Sequence, residues 1–183
     1  MNEIQVKEIM IPISDYVTVR KEDSLVEVLQ ALEQARKTES GHAHRDAIVV
    51  DADGVFTGKL TMIDIFRALE PNYKKVEQQQ KKGMLTAEFV TKVVKDFNLW
   101  MEPTQTICER GGRLKVADVM HLSEKLEYIK ETDVLAKALH LYVMGVHQPL
   151  IVKNNDKVTG VLRFGDIFEV VRQSLLNCNV SQT

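Results

Sequence analysis

Apolar residues fall into two arrangements along this chain, and each occurs twice. Ser24–Leu32, opened by Asp23, and Val134–Leu141, opened by Asp133, place apolar residues three and four apart. That spacing predicts two amphipathic helices, with each aspartate as a helix-start residue. Two continuous apolar runs follow, Ala47-Ile48-Val49-Val50 and Pro149-Leu150-Ile151-Val152. Their β-branched content and flanking turn residues predict buried strands. Asp51-Ala52-Asp53-Gly54 leads the first run into Val55–Leu60, and Asn154-Asn155-Asp156 leads the second into Lys157–Leu162. Asp-Gly is a hairpin signal in the first of these turns. A helix closes each copy, one from near Met62 through Ile65, Phe66 and Leu69, the other from near Phe164 through Ile167, Phe168, Val170 and Val171.

The duplication is also visible as a register. Val6-Lys7-Glu8-Ile9-Met10 and Val116-Ala117-Asp118-Val119-Met120 are 110 residues apart, as are Asp23 and Asp133. The strand pair is offset by 102, so the first copy carries eight extra residues, between Lys37 and Asp46. Each copy reads as short strand, helix, strand, strand, helix. A unit of about 60 residues buries little surface alone, so two copies are expected to share a core in an α+β (α/β-like) fold. The expected boundaries are repeat 1 at 1–70, a helical insert at 71–115, repeat 2 at 116–176 and a tail at 177–183. Within the insert, Gln78–Gly83 reads as a polar linker. Leu85, Phe89, Val90, Val93, Val94 and Phe97 predict an amphipathic helix capped by Thr86. Pro103 and Gly111-Gly112 bound an expected loop. The helix either packs on the repeats or docks a partner or a second subunit.

Composition narrows the function classes. The 183 residues are 44% hydrophobic and 27% charged, ordinary for a folded globular protein. With 24 basic and 26 acidic residues the net charge is -2, so no broad basic field exists for nucleic acid or an anionic membrane. No apolar run approaches the ~18 residues of a membrane span. The first residues, MNEIQVKEIM, have no signal-peptide core, and Cys108 and Cys178 form no CxxC pair. A cytoplasmic location is the expectation.

Taken in order, these fragments resemble the CBS domain family, the tandem modules named after cystathionine β-synthase. The resemblance rests on Val6–Met10, Tyr16-Val17-Thr18-Val19, Ala47–Val50 and the G-x-x-T-x-x-D string Gly58–Asp64. In the second copy it rests on Val119-Met120, Asp133-Val134-Leu135, Pro149–Val152 and Gly160–Asp166. It covers about two-thirds of the chain and leaves the 71–115 insert outside. It implies two β-α-β-β-α repeats packed pseudo-symmetrically into a disc with two clefts. It also implies a regulatory rather than catalytic module and an adenosyl ligand: AMP, ADP, ATP or S-adenosylmethionine. Such discs commonly pair, so a homodimer and a separate effector protein are expected partners.

The string has a physical rationale as a nucleotide site. Gly58 would let a ligand approach the strand, Thr61 and the helix N-terminus offer donors to phosphate, and Asp64 can accept from both ribose hydroxyls. Adenine would lie in an apolar slot near Thr18, Val19, Ala47 and Ile48. Basic residues ahead of the second strand, His44, Arg45 and His147, are phosphate candidates, and the histidines would make affinity pH-sensitive. A capping box between Thr61 and Asp64 explains the same two residues without a ligand. The second cleft would use Tyr128, Ile129, Pro149, Leu150, Gly160, Arg163 and Asp166. Tyr128 and Arg163 stand where the first copy has Thr18 and Thr61. Arg163 would either pair a phosphate or fill the cleft, and Tyr128 would either stack on a base or occlude it. One ligand per chain, at the first site, is therefore expected.

No catalytic constellation is present. Cys108 has no histidine nearby in sequence. His42-x-His44-x-Asp46 would share one face of a strand, yet it lacks a fourth ligand, so no metal and no required cofactor is expected. Two function classes follow: a stand-alone sensor of an adenosyl ligand, and an interaction scaffold whose clefts are vestigial.

Overall fold

A computed structural model of the chain describes residues 3–38, 45–79 and 86–177. The chain divides into two compact units, Met1–Thr18 with Leu122–Thr183, and Val19–His121. Neither unit is a contiguous repeat. Each takes the short segment that leads into the other copy.

The second unit holds a three-stranded sheet in the order β2-β3-β4, from Thr18–Arg20, Ala47–Val50 and Phe56–Leu60. β3 and β4 are antiparallel, as the Asp-Gly turn predicts. Helix α1 (Leu25–Thr38) lies between β2 and β3, and α2 (Met62–Leu69) follows β4. Its core contains Leu25, Val28, Ala47, Ile48, Val49 and Leu60, all at or near zero exposure. The first unit holds a four-stranded sheet in the order β1-β7-β6-β5, from Ile11–Pro12, Lys157–Leu162, Leu150–Asn154 and Tyr128–Lys130. Helix α7 (Leu135–Val143) follows β5, and α8 (Phe164–Asn177) follows β7. Ile129, Leu135, Leu150, Val152, Leu162 and Ile167 form its core together with Val6.

The exchanged segments repeat each other bond for bond. Val6 N–H donates to Asp133 O at 2.9 Å, and Val116 N–H donates to Asp23 O at 2.9 Å. Lys7 N–H donates to Glu131 O, and Ala117 N–H to Lys21 O. Each partner differs by the same 110-residue offset, so the duplication extends to the hydrogen-bonding pattern. β1 pairs antiparallel with β7, and His121 forms the matching bridge to Lys59. Val116 and Val119, on the short helix α6 (Val116–Val119), are buried in the second unit as Val6 is in the first.

Three expectations change. Asp23 and Asp133 do not cap their helices; each closes the turn after a strand, accepting from Arg20 N–H at 2.8 Å and Lys130 N–H at 2.9 Å. Ser24 does the capping of α1, in a reciprocal pair with Glu27. The expected loop between Pro103 and Gly111-Gly112 is a helix, α5 (Thr104–Arg113). Gly111 lies in its last turns, where an added Cβ would come 3.1 Å from Leu69 of α2. The glycine therefore lets two helices approach rather than breaking one.

The rest of the insert folds on itself. Helix α3 (Tyr73–Gln79) and α4 (Ala87–Asp96) share a small cluster of Val76, Val93 and Leu99. Thr86 caps α4 by accepting from Phe89 N–H at 3.1 Å, as expected. Val90 and Val94 of α4 remain exposed. Glu70, 2% exposed, ties the insert to α2. Its carboxylate accepts from Asn72 N–H at 3.1 Å and Trp100 N–H at 2.7 Å, holding Trp100 at φ 61 in the left-handed region. Trp100 in turn donates through Nε1 to the Tyr73 hydroxyl and meets Phe66 edge-on. Glu70→Ala leaves two main-chain donors without this charged acceptor and is expected to cost about 2–3 kcal/mol. In a chain of this length that lowers Tm by about 5–10 °C, measurable by thermal denaturation.

Candidate nucleotide site

In the second unit, β4 delivers the chain into α2 through Thr61. Thr61 Oγ1 donates to Asp64 Oδ2 at 2.5 Å, Thr61 N–H donates to the same oxygen at 2.9 Å, and Asp64 N–H returns to Thr61 Oγ1 at 3.4 Å. The capping box is formed, and both residues are buried at 7% exposure. A box of this kind fixes the carboxylate at the positive end of the helix, which is also where an anionic ligand is best held.

Four residues, Thr18, Val19, Ala47 and Ile48, make up the expected apolar slot. Ala47 and Ile48 have no exposed surface and Val19 is buried, so these three belong to the core. Thr18, at the start of β2, is the member of that set whose side chain meets solvent. Gly58 has a different neighbour from the one expected. An added Cβ would stand 2.3 Å from Met120 Cε and 2.8 Å from His121 O. The open side of this glycine is occupied by the segment leading into repeat 2. Arg45 is exposed just ahead of β3, while His44 and His42 lie outside the described residues. His147 is half-buried in the first unit, ahead of β6.

In the first unit, the corresponding groups are already engaged. Arg163 spends its fork on Asp166, with Nε to Oδ2 at 2.9 Å and Nη2 to Oδ1 at 2.7 Å. The pair is largely buried, with side-chain exposures of 15% and 11%. A bidentate pair of this kind replaces the threonine cap of the first copy. Tyr128 lies under Lys153, whose Nζ is 3.6 Å from the ring centroid. Burial, helped by the nearby Glu127 charge, pushes the Tyr128 hydroxyl above its ordinary range, against a hydrogen bond with Ser123. Ile129 and Leu150 are core residues, and Pro149 is buried beside them. Gly160 again faces the chain: an added Cβ would stand 2.6 Å from Ile11 O and 3.1 Å from Met10 Sδ.

A cavity of about 420 Å³ opens beside Asp64, a size suited to a small-molecule ligand. Its charged wall is Asp64 and Arg67 from α2, Lys74 and Glu77 from α3, and Asp118 from α6. Arg67 pairs with Glu77 at 3.2 Å, and Asp118 accepts from Lys115 N–H at 3.0 Å. Sequence reasoning assigned no site role to Arg67, Lys74, Glu77 or Asp118. Only the i, i+3 step from Asp64 to Arg67 marks a shared helix face in the sequence. The others arrive through the fold of the insert and the exchanged segment.

The CBS domain family model matches residues 6–71. No curated protein matches the chain. Among solved structures, a CBS domain-containing protein of unknown function from Bacillus anthracis has 18% identity and a TM-score of 0.59 over 94% of this chain and 95% of that one. The structure of CBSX2 in complex with AMP has 16% identity and a TM-score of 0.59, over 92% of this chain and 97% of that one; CBSX2 from Arabidopsis thaliana is also matched without that ligand named. The CBS domain of a bacterial CNNM/CorC family Mg2+ transporter in complex with ATP has 16% identity and a TM-score of 0.57, over 93% of this chain and 89% of that one. These likenesses are of fold, and they span both repeats and the insert.

Proposed function

We propose that the chain is a CBS-domain protein, as the match of residues 6–71 to that family supports, and that it is a regulatory, non-catalytic module that binds one adenosyl ligand beside Asp64. The observation that carries this is the contrast between the repeats. Thr61 and Asp64 hold a carboxylate at a helix N-terminus beside a ligand-sized cavity, whereas Asp166 is consumed by Arg163. AMP and ATP complexes of proteins with this fold support an adenine nucleotide as the ligand. Asp64 takes the ribose hydroxyls, and Thr61 with the first turn of α2 faces the phosphate side. Arg45 is an accessible cation ahead of β3.

The functional repeats are 1–70 and 116–176, joined by the 71–115 insert. Output passes to an effector protein or through pairing of two copies. Exposed Met62, Ile63 and Phe66 on α2 and Phe168, Leu175 and Leu176 on α8 support pairing. No helix of the described residues is long and apolar enough to cross a membrane. The balanced charge and absence of CxxC support the cytoplasm as the place of work.

Thermal-shift and calorimetric titration with AMP, ADP, ATP and S-adenosylmethionine tests the reading. At a hundredfold excess over its Kd, a ligand adds about 2.7 kcal/mol, or roughly 5–10 °C in Tm for a chain this size. Asp64→Asn is expected to lower affinity at least about tenfold, because a charged acceptor is lost, while Asp166→Asn leaves it unchanged. The scaffold reading draws support from the engaged Tyr128 and Arg163. Silence of the wild type across the four ligands at millimolar concentration would establish it instead.

A further inference from the structure

We propose that His121 is a positioning residue for Asp64, so that ligand affinity in repeat 1 depends on a side chain delivered by the segment that leads into repeat 2. This rests on the reading of Asp64 as the ribose-binding residue, and deepens it. Lys59 and His121 stand directly opposite each other and exchange N–H···O bonds of 3.0 and 2.8 Å. Opposed residues of such a bridge present their side chains to one face. The equivalent bridge of the other unit joins Val161 and Ile11, at offsets of 102 and 110 residues. An apolar pair fills that geometry there, so packing alone does not call for two basic residues here. Lys59 has no exposed surface and His121 is half-buried. Burying such groups costs free energy that valine and isoleucine would not.

The neighbour of the His121 side chain supplies the reason. A ring nitrogen of His121 and a carboxylate oxygen of Asp64 lie within 4.8 Å of each other. A small shift or one bridging water closes that distance into a hydrogen bond. Asp64 lines the cavity, and His121 is not among the described residues that do. The imidazole therefore bears on the carboxylate from outside the cavity. Thr61 ties Asp64 only to its own helix start, whereas His121 ties it to a segment whose main chain is bonded to β4. The two repeats then treat one aspartate differently. Asp166 receives a guanidinium from three residues away, which engages both of its oxygens. Asp64 receives an imidazole from a distant segment. A carboxylate has about four acceptor positions, and one imidazole N–H uses a single one of them. The carboxylate is steadied and keeps capacity for a ligand.

Calorimetric titration with AMP and with ATP tests this on the wild type, His121→Ile, His121→Gln, Asp64→Asn and the double variant Asp64→Asn/His121→Ile. Isoleucine holds the equivalent position in the other unit, so His121→Ile fits the bridge, and unchanged melting of the unliganded variant provides the folding control. His121→Ile is expected to bind about tenfold more weakly, and His121→Gln, which keeps an N–H donor, to stay within about threefold of the wild type. On the Asp64→Asn background, His121→Ile is expected to cost less than about twofold more, because the two residues act as one unit. A general distortion would multiply in full with Asp64→Asn and would not be rescued by glutamine. The proposal is overturned if His121→Ile binds as the wild type does, if His121→Gln is as weak as His121→Ile, or if the two losses multiply in full. A wild type that binds neither probe, or an Asp64→Asn variant that binds as the wild type does, overturns the Asp64 reading itself. That result is different from a His121→Ile variant whose binding is unchanged.

Discussion

A fragment spanning residues 19–121 is expected to unfold cooperatively, while one spanning 1–115, the first repeat and insert as the sequence delimits them, is expected not to fold. The second unit contains Val19–His121 and lacks the chain's first 18 residues. The longer-looking choice removes Val116–His121. With them go two buried valines and the paired hydrogen bonds between Lys59 and His121, at 3.0 and 2.8 Å. It also strands Val6, a core residue of the other unit, in solvent. Burying a valine is worth about 1.5–3 kcal/mol. Three such losses amount to about 5–9 kcal/mol, comparable to the whole stability of an ordinary domain. Circular dichroism melts of the two fragments decide the matter. A cooperative transition in 1–115, or none in 19–121, would refute the segment exchange as the determinant of folding.

Gly160→Ala is expected to destabilise the protein through its backbone. Its Cβ would stand 2.6 Å from the Ile11 carbonyl oxygen, a main-chain atom held in the β1–β7 ladder. A flexible side chain could move aside; a paired backbone must give up its register. Overpacking of this kind costs about 1–3 kcal/mol and more where backbone must shift, so Tm should fall by about 5–10 °C. Gly112→Ala is the counter-case, since a Cβ there meets nothing within 4 Å and the residue is helical. That change should raise stability by about 0.5–1 kcal/mol. Equal melting temperatures for the two variants would show that the leading segment does not depend on Gly160.

Local order was legible because it is written in periodicity. Helices α1, α2, α7 and α8 and the β3–β4 and β6–β7 hairpins sit where apolar spacing and turn residues place them. Helix α5 was hidden because Gly111-Gly112 signals a break, and only the proximity of Leu69 explains a glycine there. The segment exchange was not legible. Val6–Met10 and Val116–Met120 have equivalent patterns, and nothing local says which sheet receives which. The reciprocal bonds to Asp133 and Asp23 settle it. Gly58 suggests room for a ligand in the sequence, whereas the exchange sets Met120 and His121 against it, as it sets Ile11 and Met10 against Gly160.

The site was legible to the same depth. Thr61-x-x-Asp64 is both a cap and a binding pattern in sequence, and the structure shows the cap formed without removing the second use. Arg163 and Asp166, three apart at a helix start, carry a bidentate pair, where sequence left Arg163 open between pairing a phosphate and filling the cleft. Lys74 carries no signal at all in the sequence. Its place on the cavity wall depends on a chain reversal at Pro71-Asn72, where Asn72 Nδ2 donates to Phe97 O across 25 residues.

Trp100 gives this molecule an optical handle of its own. It is the chain's one tryptophan, so its emission comes from a single known place. Its indole stands between Phe66 on α2 and Tyr73 at the head of α3, with its N–H on the tyrosine hydroxyl. Tyr73 and Lys74 both line the cavity beside Asp64. Movement of α3 against α2 therefore changes the polarity around the indole and shifts its fluorescence, with no label attached. The docking of the insert can be followed in real time, in the unaltered protein, by the colour of one residue.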